Sequence, residues 1–194
     1  MKKIFITGPI GCGKSTLIKN VLGDNLNYAG GFITKRVIEH DKLIGFDIVS
    51  LGLGKDNKHV RFLTFKEGKT VKNNEAFSIF ASNLLKDATT KPFAVIDEIG
   101  GFEILIPEFM EAFNLFLKSQ VPCVGVLKSL PSAEKLLKTT NLHPDFLKAT
   151  KQFHLNLLSD SDIKIIEINN YKDKNALNIL KKWKEKYIEH GEIQ

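Results

Sequence analysis

The hydrophobic pattern of the 194-residue chain changes period again and again. "KKIFIT" (Lys2–Thr7) is a short apolar, β-branched run and predicts a buried strand. After a glycine-rich stretch, "KSTLIKNVLG" sets Leu17, Ile18, Val21 and Leu22 on one helical face, with Gly23 as the C′ residue. In "GGFITKRVIEHDKLIGFDIVSL" (Gly30–Leu51) two β-rich runs flank the polar "EHDK". This predicts a hairpin with a four-residue connection, Glu39–Lys42. A second strand pair is expected over His59–Lys69, from "HVRFLTF" and the turn "KEGK". "NEAFSIFASNLLKDA" (Asn74–Ala88) then has helical spacing at Phe77, Phe80, Ala81, Leu84 and Leu85.

"PFAVIDEIG" (Pro92–Gly100) is a continuous apolar run ending in two acids, the pattern of a central parallel strand buried on both faces. "IPEFMEAFNLFLKSQ" follows as a helix with Pro107 in its first turn and a stripe of Phe109, Ala112, Phe113, Phe116 and Leu117. "VPCVGVLK" (Val121–Lys128) predicts another buried strand, "PSAEKLLKT" and "HPDFLKAT" short helices, and "DIKIIEI" (Asp162–Ile168) a strand. "KNALNILKKWKEKYI" closes as a helix facing inward through Leu177, Leu180, Trp183 and Tyr187. Strands and helices thus alternate, which predicts a three-layer α/β/α fold on a mostly parallel sheet, with a β-hairpin after the first helix. No Pro/Gly/Ser-rich linker divides the chain, so residues 1–194 read as one domain.

Composition alters this picture little. The 43% of hydrophobic residues supports a core rather than disorder. A net charge of +6 raises the prospect of an anionic partner. The charge comes almost wholly from lysine, however, with only Arg36 and Arg61 as arginines, and it is spread along the chain. That speaks against a nucleic-acid partner, because nucleic-acid readers favour arginine. The two cysteines, Cys12 and Cys123, form no disulfide framework and fit a reducing cytoplasm. The initial apolar run is cut by Gly8-Pro9 too early for a signal peptide. No apolar stretch approaches the ~20 residues of a membrane span.

The chemistry is concentrated in two places. "GPIGCGKST" (Gly8, Pro9, Ile10, Gly11, Cys12, Gly13, Lys14, Ser15, Thr16) fits G-x-x-x-x-G-K-[ST] between a predicted strand and a predicted helix. Glycines let the backbone turn its N–H groups onto phosphate oxygens, and the helix adds its positive end. Lys14 is expected to neutralise the β- and γ-phosphates, Ser15 to ligate Mg²⁺, and Thr16 to reach the α-phosphate. The second place is the end of "FAVIDEIG". Asp97 is the candidate that holds Mg²⁺ through water, and Glu98 the candidate general base for an attacking water. Asp97 follows Lys14 by 83 residues, enough chain for another strand to lie between the two motif strands.

Three blocks, "GPIGCGKSTLIK", "GGFITKRV…LIGFDIVSL" and "FAVIDEIGGFEIL", occur in register over about Lys3 to Gln120. Together they resemble the cancer-related nucleoside-triphosphatase family of small, RecA-like P-loop proteins. That family carries G-G-F-x-T, G-F-x-[IV]-V and V-I-D-E-I-G-x-M-E. The resemblance implies slow, Mg²⁺-dependent hydrolysis of several nucleoside triphosphates, ATP and GTP among them, to diphosphate and phosphate. It also implies a role for Glu103, which matches the family's second acid; the alternative is a helix-entry charge. The chain departs from the family where Gly101-Phe102 replace Lys-Met, so a family lysine is missing or supplied from elsewhere. "NNYKDKN" replaces the family's Asn-Arg-Asp, leaving Tyr171 as a possible base-stacking group. Arg36 and Arg61 are the available arginine fingers, each with the alternative of a solvated strand residue. Without a finger, hydrolysis is expected to be slow. Two other functions remain open: a nucleoside or small-molecule kinase with its acceptor beside the hairpin, and an RNA-associated nucleotide-dependent module. The stretch from Pro131 to Ser161 carries no readable chemistry, and the oligomeric state is unknown.

Overall fold

A computed structural model of the protein describes residues 1–52, 58–140 and 142–189. Residues 53–57, 141 and 190–194, which the single-domain reading takes in, lie outside the described residues. In chain order come β1 (Lys3–Thr7), α1 (Lys14–Leu22), a 3-10 turn (Gly23–Tyr28), β2 (Gly30–Glu39), β3 (Lys42–Ser50), β4 (His59–Lys66) and β5 (Lys69–Lys72). A π-helical turn (Ala76–Ala81) runs into α2 (Ser82–Ala88), followed by β6 (Ala94–Ile99) and a 3-10 turn (Phe102–Leu105). The remainder is α3 (Pro107–Lys118), β7 (Cys123–Leu127), α4 (Leu130–Thr139), α5 (Phe146–Ser159), β8 (Ile163–Glu167), α6 (Lys174–Lys184) and a π-helical turn (Glu185–Glu189).

The strands form one eight-stranded sheet in the order β5-β4-β3-β2-β6-β7-β1-β8. From β2 to β8 every pairing is parallel, and β3, β4 and β5 extend the β2 side as an antiparallel meander. β7 therefore lies between β1, which leads into the glycine-rich loop, and β6, which carries the acids.

Strand alternation divides the core between the two faces. Ile4 and Ile6 of β1 pack with Leu17 of α1 and Trp183 of α6. Phe5 points the other way onto Phe113 of α3, with ring centroids 6.4 Å apart. That second face is rich in phenylalanine. Phe77 meets the rings of Phe62, Phe102 and Phe109 edge-on, at 5.1, 5.4 and 5.3 Å. Each buried ring contributes roughly 2 kcal/mol, and the edge-to-face geometry adds more. The three-layer α/β/α expectation holds.

Four local expectations change. The β2–β3 connection is two residues rather than four, because Glu39 pairs with Lys42. His40 and Asp41 take left-handed φ of 46° and 60°, the backbone that matches hairpin twist. The second strand pair reaches beyond Lys69, through β5. The helix expected over Asn74–Ala88 opens as a π turn, in which Ser82 Oγ donates to the Phe77 carbonyl at 2.8 Å. "HPDFLKAT" proves to be the start of the 14-residue α5, because the stripe Phe146, Thr150, Phe153 and Leu157 continues past it.

Candidate functional site

β1 ends at Thr7 and α1 begins at Lys14, so the loop between them lies under the helix N-terminus. Gly13 has a φ of +90°, and a Cβ there would come 2.7 Å from Tyr171 Cβ; both the conformation and the close approach require glycine. Lys14 is buried, and its Nζ donates to the carbonyls of Gly8 and Pro9 at 3.0 and 2.9 Å. The ammonium is thus curled inside its own loop, where entering phosphate oxygens would replace the two carbonyls.

The acids approach from β6. Its register against β7 shifts between Asp97 and Ile99, which leaves Glu98 as an extra residue. Strict alternation would send neighbouring side chains to opposite faces, but a bulge re-aims one of them. Asp97 and Glu98 accordingly line the same cavity as Lys14, Ser15 and Thr16. Asp97 is only 5% exposed, and the Ser15 hydroxyl hydrogen-bonds to its carboxylate. Burial is the main cause that raises its pKa, to about 6; the Ser15 hydrogen bond opposes this, and the neighbouring Glu98 charge adds to it. Ser15 and Asp97 offer hard oxygen donors in contact with each other. That pairing suits a small divalent cation.

Lys128, which in the sequence is only the last residue of a strand, belongs to this site. Its Nζ forms an ion pair with Glu98 Oε1 at 3.0 Å, the two side chains being 19% and 29% exposed. Its backbone is fixed on both sides: Lys128 N donates to Ile99 O at 2.8 Å, and His154 Nε2 of α5 donates to Lys128 O at 3.0 Å. Burial lowers the His154 pKa, and the hydrogen bond to the Lys128 carbonyl opposes that shift. A Cβ on Gly101 would lie 3.6 Å from Lys128 Cε. The lysine therefore occupies the space beside the position where the resembled family has its own.

Glu103 is fully buried in the bend after β6. Its carboxylate accepts from the backbone N–H groups of Gly100 and Gly101 at 2.6 and 2.8 Å. Burial raises its pKa, while these hydrogen bonds and the Lys128 charge oppose the rise. In this geometry it braces the loop that carries Glu98. Tyr171 lies against Gly13, 43% exposed, with Lys172 Nζ 5.7 Å from its ring centroid. Arg36 is exposed on β2 and lines the cavity. Arg61 is paired through Nε with Asp47, which also bonds His59 Nδ1 at 3.2 Å, so it is a structural ion-pair residue rather than a solvated one. Cys12 is a half-buried free thiol in the loop, and Ile10 and Gly11 line the cavity mouth.

The cavity has a volume of about 490 Å³. From the loop and the β6 acids it runs toward the meander, where Phe46, Phe62 and Phe102 line it, and under α4, which contributes Lys135. Among the described residues, no helix is long and apolar enough to cross a membrane.

A family model described as NTPase matches residues 3–152. The nucleoside-triphosphatase THEP1 of Thermotoga sp. (strain RQ2) is 36% identical over 140 residues, covering 69% of this chain and 79% of that one. Its counterpart in Thermococcus kodakarensis is 34% identical over 137 residues, covering 64% and 75%. Among solved structures, THEP1 from Aquifex aeolicus superposes with a TM-score of 0.60 at 22% identity, over 92% of this chain and 96% of that one. A human cancer-related nucleoside triphosphatase gives 0.59 at 19% identity, over 93% and 94%. At these identities the two structures show a shared fold.

Proposed function

The chain belongs to the NTPase family, and on that footing we propose that it hydrolyses nucleoside triphosphates to diphosphate and phosphate with Mg²⁺. One observation carries the reading. The loop lysine, the Ser15–Asp97 pair and Glu98 converge on a single cavity although they come from strands that β7 separates.

The loop amides and Lys14 hold the β- and γ-phosphates over the α1 N-terminus. Ser15 directly, and Asp97 through water, would hold Mg²⁺, which would supply positive charge to offset that of the phosphates. Glu98 orients a water in line with the β–γ bond and takes its proton. Its carboxylate is aimed by Lys128, which also brings a positive charge to the γ-phosphate end of the site. Arg61 is committed to Asp47, and Arg36 lies in the open on β2. With no arginine held against the phosphates, the reaction is slow. At the other end, Tyr171 offers a ring face beside Gly13. A ring face accepts any base, so broad base specificity follows. Two free thiols fit a reducing cytoplasm.

The test pairs two substitutions. Glu98→Gln should keep nucleotide binding and lower phosphate release at least about 100-fold. Lys14→Ala should lose binding itself. Wild-type turnover in Glu98→Gln, or unchanged affinity in Lys14→Ala, refutes the corresponding assignment.

A further inference from the structure

A hydrolase needs room beyond the γ-phosphate for one water, about 30 Å³ of liquid. The cavity here is about 490 Å³; it takes in the phosphate loop from Gly11 to Thr16 and continues past it to the meander and α4. Tyr171 is absent from its lining. Past the loop the lining continues by Glu98 to the 3-10 turn that follows β6, a compartment beyond the γ-phosphate in the reading above. Two properties distinguish this compartment.

The first is its wall. Phe46 and Phe62 are half-buried, with centroids 6.1 Å apart, and Phe102 lies 6.2 Å from Phe62. These rings face the cavity and leave apolar area in water at a cost of about 25 cal/mol per Å². The second is its charge. The lining carboxylates, Asp97, Glu98 and Glu103, all belong to β6 and the bend behind it. Away from them the charged lining residues are Arg36, Lys72 and Lys135, all cationic. Arg36 is the direct cross-strand partner of Phe46, so a guanidinium and an aromatic ring stand side by side on the cavity face. Lys72 Nζ lies 6.0 Å from the centroid of Phe102 and repeats the pairing on the opposite wall. Among the described residues, neither Arg36 nor Lys135 takes part in an ion pair. Neither the bound triphosphate nor the attacking water uses any of these groups.

We propose that this compartment is a second ligand subsite, one that takes a planar aromatic molecule bearing an anionic group while the nucleotide is bound. The ring packs against Phe46 and Phe62, and the anion is held by Arg36 from β2 and Lys135 from α4. The inference rests on the nucleotide orientation of the proposed function. It also gives the β3–β5 meander and α4 a role in building the wall and roof of the subsite.

Phenyl phosphate is the smallest probe with this chemistry. It should be titrated calorimetrically into protein saturated with Mg²⁺ and β,γ-imido-ATP. One site is expected. Arg36→Ala and Lys135→Ala, both at exposed positions, should each weaken it about tenfold, the loss of one charge-assisted contact. Phe62→Leu, which keeps bulk but removes the ring, should weaken it as well. Inorganic phosphate and benzyl alcohol should each bind at least about tenfold more weakly than the probe, because each lacks one half of the recognition. The proposal is overturned if phenyl phosphate binds only when the nucleotide analogue is absent, if the three variants leave its affinity unchanged, or if inorganic phosphate binds equally well. Failure of the hydrolase reading looks different: wild-type protein would release no phosphate from Mg²⁺-ATP whatever the titration showed.

Discussion

Replacing Asp97 by Asn should stabilise the ligand-free protein while destroying its activity. Asp97 is buried at the tip of β6, and burial raises its pKa from 3.8 to about 6. Every tenfold change in proton affinity corresponds to about 1.4 kcal/mol, so holding this carboxylate ionised in the empty site costs about 3 kcal/mol. Its folded pKa lies above its unfolded one. Between about pH 4 and pH 6 the native state therefore binds more protons than the unfolded chain, and this contribution to stability falls as pH rises through that window. Asn is isosteric, can still accept the Ser15 hydrogen bond and never ionises. At pH 7 the variant should be more stable by up to about 3 kcal/mol, or about 6–12 °C in thermal midpoint for a chain of this length. Near pH 4, where Asp97 is protonated in the folded state and about half protonated in the unfolded chain, most of the gap should close. Thermal melts from pH 4 to 8 without metal or nucleotide measure it. Adding Mg²⁺ and nucleotide should then stabilise the wild type far more than the variant. A variant that melts below the wild type at pH 7, or a gap that does not shrink in acid, refutes the claim that Asp97 is held against an unfavourable burial.

Two further outcomes probe the groups around it. Lys128→Met should lower kcat roughly 10–100-fold with KM nearly unchanged, and Lys128→Arg should restore part of the loss. Its melting midpoint should hardly move, since a partly exposed pair contributes about 1 kcal/mol or less; a loss of stability matching the loss of rate would make Lys128 merely structural. Tyr171→Ala should raise KM for all nucleoside triphosphates by about 2–10-fold without changing kcat, the loss of one ring contact. An effect confined to one base, or none, would remove Tyr171 from the base side.

The fold was legible wherever one physical signal dominated. "FAVIDEIG" is apolar throughout because β6 is covered on both faces, and "KSTLIKNVLG" is amphipathic because α1 covers one face of the sheet. Where two signals competed, the reading erred locally. "EHDK" is polar over four residues, but the backbone needs only His40 and Asp41 to turn, and polarity does not reveal that outer residues can still pair. "NEAFSIFASNLLKDA" satisfies helical spacing, yet spacing alone cannot show the π turn at Ala76–Ala81. The start of α5 looked short because its polar face interrupts the apolar run, while the buried stripe from Phe146 to Leu157 keeps its period.

The site divides along the same line. The loop and the β6 acids are contiguous in sequence, so their chemistry can be read as a string. Lys128 cannot, because its place depends on sheet order. β7 lies between the strand that feeds the loop and the strand that bears Asp97, so the residue that follows β7 emerges between them. The cation packs along the neighbouring bend: Cβ atoms at Gly100 and Gly101 would lie 3.2 and 3.6 Å from the lysine side chain, and one at Gly101 would also come 2.7 Å from Glu103 Oε2. We read Lys128 as standing in for the lysine that the resembled family has at the position of Gly101, since the two positions are in contact distance. Gly101→Lys in a Lys128→Met background therefore puts this exchange to the test, and recovered turnover is the outcome it requires.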